Sequence, residues 1–139
     1  MKQFVKISIG LVVIGMLGCT APKGTTAKKA PAKVGPKDAG NPPAVALSQE
    51  ADHRLGITTV RPTGERGESF VPASALLYDV DGSVWIYVRT APLTYQRMAI
   101  SLLKIEGATA KLGKPLPAET EIVSTGAAEL FGTETGGGK

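Results

Sequence analysis

The chain encodes an all-β domain, a small roll or sandwich, preceded by a disordered tether. Three observations predict it. Short blocks of β-branched and aromatic residues recur between Gly and Pro breaks. Asp81-Gly82 separates two such blocks, and that dipeptide supplies the positive φ angles of a type I′ hairpin turn. From Thr20 to Pro43 large apolar residues almost vanish while Ala, Lys, Pro, Gly and Thr dominate. Such a composition cannot bury enough surface to repay its ordering entropy. The expected organisation is a leader over 1–18, a linker over 19–43, a folded domain over 44–133 and a flexible tail over 134–139.

The leader begins with Lys2 and Lys6, continues as an apolar run from Ile7 to Leu17, and ends at Met16-Leu17-Gly18-Cys19. A positive start, a short apolar run and a small residue before the cleavage point are the layout of a secretory signal. The run is short for a membrane-spanning helix. Cys19 is the only cysteine, so it cannot form an internal disulfide. Its position matches the end of a bacterial lipoprotein signal, with Met16 in place of the usual Leu. The thiol then carries a lipid anchor and becomes the first residue of the mature chain. The linker that follows reaches at most about 80 Å at roughly 3.3 Å per residue.

Within the domain, Ala44 to Leu47 is a short strand. Ser48 caps one or two helical turns over 49–55, and Gly56 stops them. Ile57 to Arg61 is β-branched and extended. After the break at Pro62 to Gly67, the hairpin arms run from Ala75 to Val80 and from Ser83 to Val88. In the second arm Val84, Ile86 and Val88 share one face while Trp85 and Tyr87 share the other, so both faces call for cover. Thr94 to Ile105 is a strand or strand pair interrupted near Ser101. Glu121 to Ser124 is a last short strand, and Ala127 to Phe131 a single helical turn. The expected core is Leu76, Val84, Ile86, Val88, Ile100 and Ile122.

The formal net charge of +4 resides outside the domain. Lys23, Lys28, Lys29, Lys33 and Lys37 face Asp38 alone in the linker, whereas from Ala44 onward nine Lys and Arg meet eleven Asp and Glu. A basic tether beside a membrane favours anionic headgroups. It equally serves as a solvated spacer. No basic patch with interleaved aromatics points to nucleic acid.

Chemistry-bearing constellations are scarce. His53, the sole histidine, reads as a surface residue on the short helix. Asp79 and Asp81 read as turn residues. Ser74 and Ser124 have no histidine placed beside them. With one His, Met98 and an acylated Cys, the mature chain offers no metal site. The expectation is therefore no catalytic residue, no metal and no cofactor beyond the covalent lipid on Cys19. Trp85, Tyr87, Tyr95 and Phe131 are the candidate partner-contact residues, since aromatics frequently anchor interfaces. In a small β-domain, however, such aromatics more often form the core.

Several stretches, in order, resemble the periplasmic adaptor subunits of RND-type tripartite efflux pumps, also called membrane fusion proteins. Phe70-Val71-Pro72-Ala73-Ser74-Ala75-Leu76-Leu77 resembles the family's "VPxSAv" strand, which enters the membrane-proximal domain. Asp81 to Val88 is similar to the following "g-x-x-V-y-V" strand, and Thr94 to Ile100 to "x-f-x-r-x-V". Glu121 to Leu130 resembles the closing "x-V-V-x-x-G-a-x-x-L". Leu47 to Ala51 and Leu55 to Val60 look like the family's first membrane-proximal strand, especially in the metal-efflux branch. The likeness covers most of 44–133. Adaptors insert a lipoyl-like domain, a helical hairpin and a β-barrel between the first and last of these segments. Here Arg61 is followed within ten residues by Val71-Pro72, which leaves no room for them. Pro115 to Glu119 also replaces the usual "GLxxG" turn.

The resemblance implies a free-standing membrane-proximal domain on a lipid anchor. It implies a non-enzymatic protein whose partner is an inner-membrane efflux transporter or a full-length adaptor. The rival expectation is an envelope-binding lipoprotein with no efflux role. The protein is expected to face the periplasm. The resemblance favours the inner membrane, whereas Thr20 after the acylated cysteine favours the outer under the common sorting rule; the inner membrane is preferred.

Overall fold

The computed structural model describes residues 30–37 and 40–136. The chain runs β1 (Ala32–Val34), β2 (Val45–Leu47), α1 (Gln49–Leu55), β3 (Thr58–Val60), β4 (Phe70–Pro72), a 3-10 turn (Ala73–Ala75), β5 (Leu77–Tyr78), β6 (Val84–Ala91), β7 (Thr94–Ile100), β8 (Leu102–Glu106), β9 (Thr109–Leu112), β10 (Ile122–Thr125) and α2 (Ala127–Gly136). The described residues form an all-β architecture of two antiparallel sheets with two short helices. The larger sheet has the order β1-β2-β7-β6-β10-β3, with β5 also pairing β6; the smaller is β4-β9-β8.

Both faces of the larger sheet are buried, as the two-faced pattern of β6 requires. On one face Tyr87, Tyr95, Val123, Val45 and Leu47 pack under Ala51 of α1 and Ala127 and Leu130 of α2. On the other, Ile86 and Ile122 meet Val71, Ala110 and Leu112 of the smaller sheet, with Ala75 and Leu76 between them. Adjacent residues of one strand thus serve different cores: Ile86 and Tyr87 are both 0 % exposed. Of the expected core, Leu76, Ile86 and Ile122 are buried, while Val84, Val88 and Ile100 are half-buried against the second cluster.

α1 forms where its caps place it. Ser48 Oγ accepts from the Ala51 N–H at 3.1 Å, and Gly56 closes the helix in the left-handed region at φ 62°. At the head of α2, Gly126 sits at φ 87°, and a Cβ there would lie 2.3 Å from Ile57 Cδ1. Only glycine lets β10 turn into α2 this close to the segment before β3.

Five features differ from the sequence expectation. The hairpin is present, but its loop is longer. Gly82 N–H donates to Asp79 O at 3.0 Å and Asp79 N–H to Ser83 O at 2.9 Å, with only Gly82 at positive φ among these residues. That is a three-residue loop, a type I turn followed by a left-handed glycine. The first arm shrinks to Leu77–Tyr78 because Ala73–Ala75 coils into the 3-10 turn. β1 lies inside the stretch expected to be linker, where Ala32–Val34 pairs antiparallel with Val45–Leu47. Backbone pairing and the half-buried Ala32, packed against the first core, place it, while Lys33 and Val34 stay exposed. β9 was not expected: Ala and Lys are poor strand formers, yet Ala110 and Leu112 alternate inward to the second core. Finally α2 runs to Gly136, beyond the single turn expected and into the stretch assigned to the tail. The interruption near Ser101 is where the chain leaves the larger sheet for the smaller, held by a Gly113 N–H donating to Ser101 O at 2.6 Å.

Ile86 lies at the centre of the second core, so Ile86→Ala should cost about 2–5 kcal/mol. Urea denaturation checks it; a loss below about half a kcal/mol would mean the site is not packed as described.

Candidate functional site

The β6–β7 register sets Tyr87 directly opposite Arg97, on the sheet face beneath α2. Ala127, Leu130, Phe131 and Glu134 recur on α2 at the i, i+3, i+4, i+7 spacing of one helix face. That face returns over the sheet and lowers Glu134 onto the pair. The Glu134 carboxylate, only 3 % exposed, accepts from the Tyr87 hydroxyl at 2.5 Å, from Arg97 Nε at 3.0 Å and from Arg97 Nη2 at 2.8 Å. The Arg97 guanidinium lies 5.0 Å from the Trp85 ring centroid and 5.1 Å from that of Phe131. Both distances suit a cation–π contact. Asp79 Oδ2 stands 3.5 Å from Arg97 Nη1, so the hairpin loop also leans on this arginine.

A second network joins α1 to the same sheet. The Tyr95 hydroxyl donates to Asp52 Oδ1 at 2.5 Å, and Arg89 donates to Tyr95 at 3.5 Å and to Glu121 at 3.0 Å. Burial, reinforced by the Glu134 hydrogen bond, pushes the ionisation of Tyr87 upward; burial and the Asp52 hydrogen bond do the same for Tyr95. Both phenols stay protonated donors, so neither is poised as a base.

The four aromatic contact candidates therefore divide. Tyr87 and Tyr95 are fully buried and anchor these networks, which corrects the contact role considered for them. Each hydroxyl finds a carboxylate, which is what lets a tyrosine enter a core. Trp85 and Phe131 are half-buried and flank Arg97 rather than forming an open patch. Cys19 lies outside the described residues. His53 is exposed on α1. Asp81 accepts from the Ser83 hydroxyl at 2.6 Å and backbone N–H at 2.8 Å, and these bonds hold its carboxyl below the usual range. Ser74 donates to the Ser124 carbonyl at 3.0 Å, and the Ser124 hydroxyl lies 3.1 Å from that of Thr58. Among the described residues no group of three or more His, Cys, Asp or Glu is placed to hold a metal, and no helix is long and apolar enough to cross a membrane.

What remains available for contact is elsewhere. Tyr78 is 60 % exposed and Val80, in the hairpin loop, fully so; Leu103 and Ile105 project from the edge strand β8. An open apolar groove of about 770 Å³ lies between α1, α2 and the start of β1. Sequence reasoning missed Arg97 and Glu134. The signal was the seven-residue step from Ala127 to Glu134, visible once the helix is allowed to continue past Phe131.

Two outcomes follow. Glu134→Ala leaves Arg97 largely buried with only the longer Asp79 contact, and should cost about 2–4 kcal/mol in chemical denaturation. Stability should also fall as pH rises above about 10. An unfolded tyrosine ionises near 10.0, whereas native Tyr87 and Tyr95 resist, so the unfolded state alone releases those protons. Thermal melts of Tyr87→Phe and Tyr95→Phe should each show a weaker alkaline loss than the parent.

No protein-family model matches this chain, and no curated protein or solved structure matches it either.

Proposed function

We propose that this chain is a non-enzymatic, lipid-anchored envelope protein that associates with an inner-membrane efflux transporter or with its full-length adaptors. One observation chiefly supports the reading. The two segments that resemble the opening and closing strands of an adaptor's membrane-proximal domain are far apart in sequence, yet they close on each other. Val60 and Thr59 of β3 pair with Ile122 and Val123 of β10, and Leu47, Val123 and Leu130 share one core. The join that replaces the inserted adaptor domains is a single loop, bridged by Thr63 and Phe70. A domain so closed can fold without the missing parts, as a docking module must.

Among the described residues, Ser48, Asp52, Asp79, Asp81, Glu121 and Glu134 are engaged in caps, turns, tyrosine hydrogen bonds and ion pairs, which fits a binding role. Tyr78 and Val80 leave an apolar tip exposed on the hairpin, and the proposed partner contact lies there.

The test is affinity capture of the full-length protein from detergent-solubilised envelope, with Val80→Asp as the comparison. Recovery of an inner-membrane transporter or adaptor, weakened by Val80→Asp, is the expected result. Repeated capture of envelope proteins without either would replace this reading with a lipoprotein that has no efflux role. Banding wholly with the outer membrane on a density gradient would remove most of its support.

A further inference from the structure

The groove between α1, α2 and β1 holds about 770 Å³, within the roughly 300–1,000 Å³ of small-molecule sites. Small residues hollow it: Ala51 on α1, and Gly132 and Gly136 one turn apart on α2. A Cβ built at either glycine would meet no atom within 4 Å, so the space beside them is open. Leu47 and Leu55 add aliphatic walls, and Arg54 and Glu129 are the charged side chains of the lining. The shape and chemistry suit an unbranched aliphatic group that asks for few hydrogen bonds.

The path of the chain indicates which one. Ala30 and Pro31 line this same groove, so the polypeptide enters the domain along it. Cys19 stands eleven residues upstream of Ala30. That stretch reaches at most about 40 Å. So short a tether keeps a group on Cys19 near the groove at an effective concentration on the order of millimolar.

We propose that the groove is a holding site for one acyl chain of the lipid on Cys19, occupied when that chain is out of the bilayer. The proposal rests on the lipoprotein reading of Cys19. Withdrawing methylenes from water drives the chain into the groove. A bilayer covers the whole chain whereas an open groove covers only part, so insertion into a membrane empties the site. The groove thereby shields the anchor while the protein is between membranes.

The test uses a thiol introduced by Gly132→Cys in the full acylated protein, where the lipid blocks Cys19, and in a secreted Cys19→Ser version. In detergent-free buffer, maleimide alkylation should be about tenfold slower in the acylated protein, as a mostly occupied site requires. Vesicles of phosphatidylethanolamine and phosphatidylglycerol should restore the fast rate. A thiol from Thr109→Cys, exposed on the smaller sheet, should react equally in both proteins. Adding Gly136→Leu should fill the groove and abolish the protection with an unchanged circular dichroism spectrum.

Equal rates at the Gly132 position overturn the holding site while leaving the anchor intact. Slowing at Thr109 as well would reduce the effect to aggregation and overturn it too. Protection of the Cys19→Ser protein by the vesicles would assign the groove to free lipid instead. Mass spectrometry of the intact protein separates the remaining case: a Cys19 without acyl groups removes the anchor reading and the holding site together.

Discussion

The paired strands β6 and β7 carry cores on both their faces, and the rest of the molecule is arranged by that constraint. A strand alternates its side chains, so Ile86 and Tyr87 must find partners in opposite directions. A one-residue slip in the ladder would exchange them, placing the Tyr87 hydroxyl in an aliphatic core and removing it from Glu134. The ladder cannot slip while both layers are in place. The smaller sheet and the two helices are therefore covers whose positions follow from the central register.

The helical cover is held by more than apolar contact. Glu134 accepts from Tyr87 and Arg97 together, and Arg97 is enclosed by the Trp85 and Phe131 rings and by Asp79. Burying such charges gains little net stability over a well-packed apolar cluster. Its effect is directional. A greasy helix can rotate or slide over a sheet, whereas a carboxylate shared between two fixed donors accepts one helix orientation and one axial position. The Tyr95–Asp52 bond gives α1 a similar attachment. The two helices come to rest apart, with small residues facing between them, and the groove is the consequence.

That groove and the closed β3–β10 pairing bear on function in different ways. The pairing closes the larger sheet at β3, which on the proposed adaptor reading removes the need for inserted domains. The groove is lined in part by Ala30 and Pro31, the first of the described residues. Under the proposed lipid on Cys19, membrane attachment and transit would be two states of one protein.

Much of this protein was legible in the amino-acid order because the governing interactions are local. Ser48 and Gly56 delimit α1 through bonds that span only a few residues. Asp81-Gly82 marks the hairpin, and the alternation from Val84 to Val88 announces a strand covered on both sides. The turn type escaped, because whether two or three residues form the loop depends on how Asp79 and Ser83 meet across it. β1 and β9 escaped for a deeper reason. Ala32–Val34 and Thr109–Leu112 have weak strand character, and each depends on distant partners: backbone groups of a neighbouring strand and a core that takes Ala32, or Ala110 and Leu112. The length of α2 was likewise decided at a distance, for its last turns carry Gly132, Thr133 and Gly136, poor helix formers, and are held by Glu134. Composition favoured a core for Tyr87 and Tyr95 but did not separate it from a contact surface. Their burial was settled only when Glu134 and Asp52, distant in sequence, came within reach of the two hydroxyls, because a phenol enters a dry interior at tolerable cost only where an acceptor is waiting.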